Sequence, residues 1–233
     1  KSTDYSYINF NNKYSKKIKK IFKKNKLKSK LVSVKAHKYN FLLKKIKNNY
    51  FNGKGNIQNL VFAYKIAKKL KIKDDVIIKA LNKFKGLSHR QEIIFSNKKL
   101  LYINDSKATS FDASLQCLLN YNKIYWIVGG LPKHKDFFDL KKVKKKIIKA
   151  YIIGKHPLFF ENQIKNHIAY TISGNIKKAL EDISKDLTLN QNIKKAIILS
   201  PAAASFDQFK NFESRGVFFK NLINKKYKKR SNA

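Results

Sequence analysis

The chain has 233 residues, 53 of them Lys or Arg and 14 Asp or Glu, for a formal net charge of +39. Such an excess over the roughly 2–8 charges of an ordinary small domain suggests an anionic partner, yet 43% hydrophobic and 13% aromatic residues exclude a disordered basic tail. No apolar run reaches the roughly 18–20 residues of a membrane span, no signal-peptide core opens the chain, and the single Cys117 excludes an internal disulfide framework and fits a reducing compartment.

Tyr5 to Phe10 is short and β-rich and predicts a strand. Asn12 to Lys24 carries apolar residues at helical spacing, with Ile18, Ile21 and Phe22 as the buried side and the lysines of 16–20 as the wet face. Lys30 to Val34 predicts a second strand. After the turn Gly53-Lys54-Gly55, Asn56 to Leu70 predicts a helix with Leu60, Ala63, Tyr64 and Ala67 on one side. Asp75 to Phe84 predicts another, its first turn suited to Asp74 and Asp75, where carboxylates favour the positive end of the helix dipole. Gly86 ends it, and a domain boundary is expected at Gly86–Ser88.

Beyond that point Gln91–Phe95 and Leu100–Asn104 flank a polar turn, as in a β-hairpin. Helix and strand then alternate. Helices are expected at Ser110–Leu119, Leu140–Ile148, Pro157–Ile164, Asn175–Leu187 and Ser205–Asn224. Strands are expected at Lys123–Val128, Ala150–Ile153, Ile168–Ile172 and Lys195–Leu199. Alternating units with wholly apolar strands predict an α/β fold with a mostly parallel sheet covered on both faces by helices. Ligands in such sheets bind beyond the carboxyl ends of the strands.

The charge itself says little about the partner. Only Arg90, Arg215 and Arg230 are arginines, and the remaining basic residues are lysines scattered among Ile, Asn, Phe and Tyr. Nucleic-acid readers favour the bidentate fork of Arg. The lysine excess reads instead as compositional drift on solvent faces, and neither a specific nucleic-acid partner nor membrane insertion is expected.

Three strand ends carry candidate chemistry. Asn104 to Ser110 leaves a strand for a helix and packs an anion, a cation, hydroxyls and a helix start into seven residues, as a phosphate, ribose or carboxylate site needs. Val128-Gly129-Gly130-Leu131-Pro132-Lys133 lets backbone approach a ligand and offers a cation. Ser200 to Gln208 leaves room above the sheet with small residues, and Ser205 with Gln208 spells a capping box.

These segments, with Gly86-Leu87-Ser88-His89-Arg90 and the run from Ser200 to Gly216, resemble the Mur ligase family in order and spacing, in the form of its D-glutamate-adding member. Gly53 to Gly86 resembles the helical stretch before the family's interdomain hinge. The resemblance implies an ATP-dependent ligase of peptidoglycan assembly in the cytoplasm, which adds D-glutamate to UDP-N-acetylmuramoyl-L-alanine through an acyl phosphate with Mg2+. It divides the chain into residues 1–86, the C-terminal half of an ATP-binding domain, and 87–233, a Rossmann-like domain that takes the amino acid. Residue by residue it places Asn56 and Asn59 at the adenine region, Arg90 at the ATP phosphates and Asp105 at the ribose. It makes Lys107 the catalytic cation on the ATP side. It puts Thr109, Lys133, Ser205, Phe206 and Phe212 around D-glutamate, with Ser205 and backbone N–H groups at a helix start binding a carboxylate.

The chain departs from the family pattern at Gly55, Ser110, Leu131-Pro132 and Ala203. It has no Met and no Gly-x-x-x-x-Gly-Lys-Ser/Thr. The phosphate loop and the metal-binding carboxylates are therefore expected upstream of Lys1, and the chain alone is expected to be inactive. The rival readings are another Mur or folylpolyglutamate-synthase-like ligase, and a basic nucleic-acid-binding protein. A zinc site is not expected, because His37, His89, His134, His156 and His167 lack ligand spacing.

Overall fold

The computed structural model describes residues 4–10, 14–133, 136–187 and 193–228. The chain divides into two compact units, Lys1–Lys85 and Gly86–Ala233.

In the first unit β1 (Tyr5–Asn9) pairs in parallel with β2 (Lys30–Val34), Tyr5 opposite Lys30. Between them runs α1 (Ser15–Lys24), and after them α2 (Asn40–Lys45), α3 (Lys54–Lys69) and α4 (Asp74–Lys83). The strands and the two long helices fall where the β-branched runs and the 3.6-residue period put them. The start expected at Asn12 lies outside the described residues. Two details of the helix faces differ from expectation. Ile21 of α1 is exposed, while Ile18 and Phe22 are half-buried. The buried stripe of α3 is Leu60, Val61 and Tyr64, and Ala63 faces solvent. A methyl group contributes little to burial, so the larger Val61 takes the core position beside Leu42, Phe51 and Ile77. Helix α2 was not expected. Its six residues are too few for a period to show.

The second unit is one six-stranded sheet in the order β3-β4-β8-β5-β6-β7. These strands are β3 (Glu92–Ser96), β4 (Leu100–Asn104), β5 (Ile124–Gly129), β6 (Ile147–Ile153), β7 (Tyr170–Gly174) and β8 (Lys195–Leu199). Only β3 is antiparallel to its neighbour. Alternation along the strands sorts the core into two layers. Ile124, Trp126 and Val128 pack with α5 (Phe111–Leu118) and α6 (Pro157–Ile164). Tyr125 and Ile127 pack with α7 (Ile176–Asp186) and α8 (Phe212–Lys228). The expected mostly parallel, helix-covered sheet is what forms.

Two expected helices are corrected. Leu140–Ile148 is not a helix but two short 3-10 turns, Leu140–Lys142 and Lys144–Lys146, after which Ile147 already opens β6. The spacing of Leu140, Val143 and Ile147 suits a helix, but Ile147 aligns with Ile124 of β5, and sheet pairing overrides the local period. Ser205–Asn224 is not one helix either: α8 begins at Phe212. The Ser205–Gln208 capping box does not form. The Ser205 carbonyl accepts from the amides of Gln208 and Phe209 in a turn, and Gln208 Nε2 donates to the Gly174 carbonyl (2.9 Å). Capping falls to Asn211, whose Oδ1 accepts from Ser214 N (2.7 Å).

Candidate functional site

The carboxyl ends of β4, β5 and β8 lie side by side because β8 sits between the other two. Of the turns that follow them, here the β4, β5 and β8 turns, the β8 turn is tied to each of the other two. The β4 and β8 turns meet where Asp105 N donates to the Leu199 carbonyl (2.8 Å) and Ser200 Oγ donates to Asp105 Oδ2 (2.7 Å). The β5 and β8 turns form a bridge in which Leu131 N donates to the Ala204 carbonyl (2.9 Å) and Ala204 N donates to that of Leu131 (3.1 Å). Just beyond the β4 and β5 turns, the first residue of α5 meets Asp136, where Phe111 N donates to Asp136 Oδ2 (3.4 Å). The β8 turn runs on across the sheet, with Lys155 N donating to Asp207 Oδ2 (3.0 Å).

This close approach requires Gly130. Its φ is +135°, and a Cβ there would collide with the Ala204 carbonyl and stand 3.1 Å from Arg215 Nη1.

Asp105 is 6% exposed. Burial pushes its carboxyl up to about 7, against the pull of Ser200, the Gln91 amide and, through space, Arg90. Its Oδ1 accepts from Gln91 N (3.1 Å), so both oxygens are engaged within the fold. Beneath it the Cys117 thiol is held well above its ordinary range by burial and by Asp105. Cys117 is a core residue of α5.

Lys107 is half-buried, and its ammonium lies over the Phe212 ring, 3.6 Å from the centroid, a cation–π contact. The site therefore brings together Lys107 and Phe212, which are far apart in sequence. Thr109, Lys133 and Ser205 stand on the three joined turns, and no described residue takes a hydrogen bond from their side chains. Ser205 is buried in a turn seven residues before α8, so it does not stand at a helix start. Phe206 is 69% exposed, and Arg90 is exposed beside Gln91. In the first unit Asn56 Nδ2 donates to the Tyr50 carbonyl (2.8 Å), and Asn59 is exposed on α3.

Sequence reasoning gave no role to Arg215, Ser200 or Asn104. Arg215 is 1% exposed. Its Nη2 donates to the carbonyls of Ser106 and Ala203 (2.9 Å each) and its Nε to Ser106 Oγ (3.0 Å). Burial lowers its pKa to about 10, offset by Asp207. Asn104 Nδ2 donates to His89 Nδ1 (2.9 Å) and to the Gly216 carbonyl (3.2 Å). A signal for Arg215 existed: it is one of three arginines among 53 basic residues.

No protein-family model matches the chain. Curated relatives do. The UDP-N-acetylmuramoylalanine--D-glutamate ligase of Rickettsia prowazekii is 33% identical over 232 residues, 94% of this chain and 52% of that protein. The ligase of the same name from Rhizobium meliloti is 38% identical over 167 residues, 72% of this chain and 36% of that protein. The chain thus spans about half, or less, of the length of the curated relatives it matches. Among solved structures, the UDP-N-acetylmuramoylalanyl-D-glutamyl-2,6-diaminopimelate--D-alanyl-D-alanyl ligase of Acinetobacter baumannii aligns with a TM-score of 0.58 at 15% identity, over 94% of this chain and 51% of that one. Crystal structure II of MurF from the same organism gives 0.55 at 14%, over 93% and 52%. With the parallel sheet and the motifs at its carboxyl edge, these likenesses place the chain in the Mur ligase family.

Proposed function

We propose that this chain supplies part of a ligase that joins D-glutamate to UDP-N-acetylmuramoyl-L-alanine at the cost of ATP, in the cytoplasmic stage of peptidoglycan assembly. The observation that carries the reading is the joining of three turns at one sheet edge, with side-chain donors of Thr109, Lys133 and Ser205 unspent on any described residue. D-Glutamate presents two carboxylates and an amine. An exposed lysine with two hydroxyls on rigid turns is a suitable set of donors for the carboxylates. The amine needs only its lone pair free to act as a nucleophile.

The reaction needs a leaving group on an unreactive carboxylate. The γ-phosphoryl of ATP passes to a carboxylate oxygen of UDP-N-acetylmuramoyl-L-alanine, releasing ADP. The D-glutamate amine then attacks the acyl carbon, phosphate departs with the bonding pair, and the amine loses a proton. Lys107 is the cation we assign to the accumulating negative charge, and Phe212 holds its ammonium in place. Arg90, exposed, is free to meet a phosphate. Asp105 accepts one bond on each oxygen, from Gln91 and Ser200, which braces the turns and leaves a lone pair on each oxygen for a ribose hydroxyl. Asn59 is available to an adenine edge, whereas Asn56 is already tied to Tyr50. Phe206 and Phe212 would flank the aliphatic part of the amino acid. Residues 1–86 are the part we assign to nucleotide binding and 87–233 the part we assign to the amino acid. Among the described residues no group of three or more His, Cys, Asp or Glu is arranged to hold a metal ion.

The test is calorimetric titration of the chain with D- and L-glutamate. The reading expects D-glutamate to bind at least tenfold more tightly. Equal affinity for the enantiomers, or binding only of nucleic acid with a steep salt dependence, would overturn it.

A further inference from the structure

We propose that Arg215 is a positioning residue which sets the Lys107 ammonium and the Ser205 turn to face one ligand. The proposal deepens the D-glutamate reading and, for its ligand arm, rests on it.

Arg215 sits in the first turn of α8, and its side chain is almost wholly enclosed. It bonds to two of the three turns and lies close to the third. Two bonds go to Ser106, the residue before Lys107, and one goes to the Ala203 carbonyl, two residues before Ser205. On the third side, a Cβ on Gly130 would stand 3.1 Å from Nη1. Ser106 Oγ passes the restraint on by donating to the Phe212 carbonyl (2.8 Å). The ring of Phe212 carries the Lys107 ammonium. The path from guanidinium to ammonium thus runs through one hydroxyl, one carbonyl and one ring.

The cost of this arrangement shows that packing alone did not select it. Burial of a guanidinium is expensive without full hydrogen bonding. Here Nη1 is buried with no hydrogen-bond partner, the one such side-chain atom among the described residues. No carboxylate makes a salt bridge to Arg215 among the described residues. An apolar side chain of similar volume would avoid the desolvation. What it could not do is hold two carbonyls and a hydroxyl in the fixed plane of a guanidinium. Lysine could not do so either, since one ammonium cannot span three acceptors set by a planar fork.

The experiment uses the whole chain with labelled lysine side chains, the Lys107 ε-methylene signal being identified by its loss in Lys107→Arg. A methylene next to an ammonium held over a ring is shifted upfield by the ring current. The wild type is expected to show that shift. Arg215→Lys is expected to return it to the position of the exposed lysines while the circular dichroism and a cooperative melt are kept, and Ser106→Ala is expected to move it part of the way. An unchanged Lys107 signal in Arg215→Lys overturns the proposal. Should that variant fail to fold, an unchanged signal in Ser106→Ala overturns it instead. On the ligand side, Arg215→Lys is expected to bind D-glutamate at least tenfold more weakly, and binding within twofold of wild type contradicts the proposal. A wild type that binds no D-glutamate would condemn the functional reading, and the Lys107 signal would still decide the role of Arg215.

Discussion

Asp105→Asn separates the two jobs a buried carboxylate can do. In the native chain this group keeps its proton up to about pH 7, whereas in the unfolded chain it loses it near its ordinary value of 3.8. The native state therefore binds more protons than the unfolded state between those two values, and stability must fall as pH rises through that window. The contribution is fully present below about pH 4 and gone above about pH 7. At about 1.4 kcal/mol per unit, the part of the window between pH 5 and 7 amounts to roughly 2–3 kcal/mol. Asn cannot ionise and still accepts from one donor, while Ser200 Oγ can turn to accept from the new amide. Urea denaturation of both proteins from pH 5 to 8 is the assay. Effects of other titrating groups cancel in the difference between the two. The variant should gain about 2–3 kcal/mol relative to wild type over that range, with most of the gain complete by pH 7. A difference that is flat with pH, or that moves in favour of wild type, would refute the reasoning. It would mean that water or local opening solvates the carboxylate, and that Asp105 does not brace the turns as a buried group.

Three further outcomes follow from particular contacts. Lys133→Ala should weaken D-glutamate binding by tenfold or more, since a charge-assisted bond contributes roughly 1.5–3 kcal/mol; titration calorimetry checks this, and an unchanged dissociation constant removes Lys133 from the site. Gly216→Ala would drive a methyl into the His89 ring and disturb the Asn104–His89 bond. Overpacking of this kind costs roughly 1–3 kcal/mol, to be read as a lower urea midpoint, and a midpoint equal to wild type would show that the ring moves freely. Raising the salt concentration should raise the melting temperature, because screening relieves self-repulsion in a chain of net charge +39; a melting temperature that falls with salt would mean that ion pairs outweigh that repulsion.

The sheet was legible because its strands are short apolar runs. Ile124 to Val128 and Ala196 to Leu199 are buried along their whole length, and such a run has no period to mislead. Ile147 was misread for the opposite reason. With Leu140 and Val143 it makes a helical spacing, and nothing local reveals its pairing with β5. The turns bearing the candidate site stood out because a strand end followed by hydroxyls, glycines or alanines is conspicuous beside a lysine-rich surface. Their joining could not, since it depends on Asp105 meeting Ser200 and Arg215 meeting Ser106, pairs separated by 95 and 109 positions. Ser205 shows the limit of motif reading. A serine three residues before a glutamine spells a cap, but here the glutamine side chain is drawn to Gly174, and the helix waits for Asn211.

The measurement that bears most directly on the shared site is a backbone amide map of the labelled chain during titration with D-glutamate. If the β4, β5 and β8 turns form one binding surface, then the amides around Thr109, Lys133 and Ser205 should shift together, with a single dissociation constant, and L-glutamate should leave them nearly still. Shifts confined to one turn, or three turns titrating with different constants, would contradict the account.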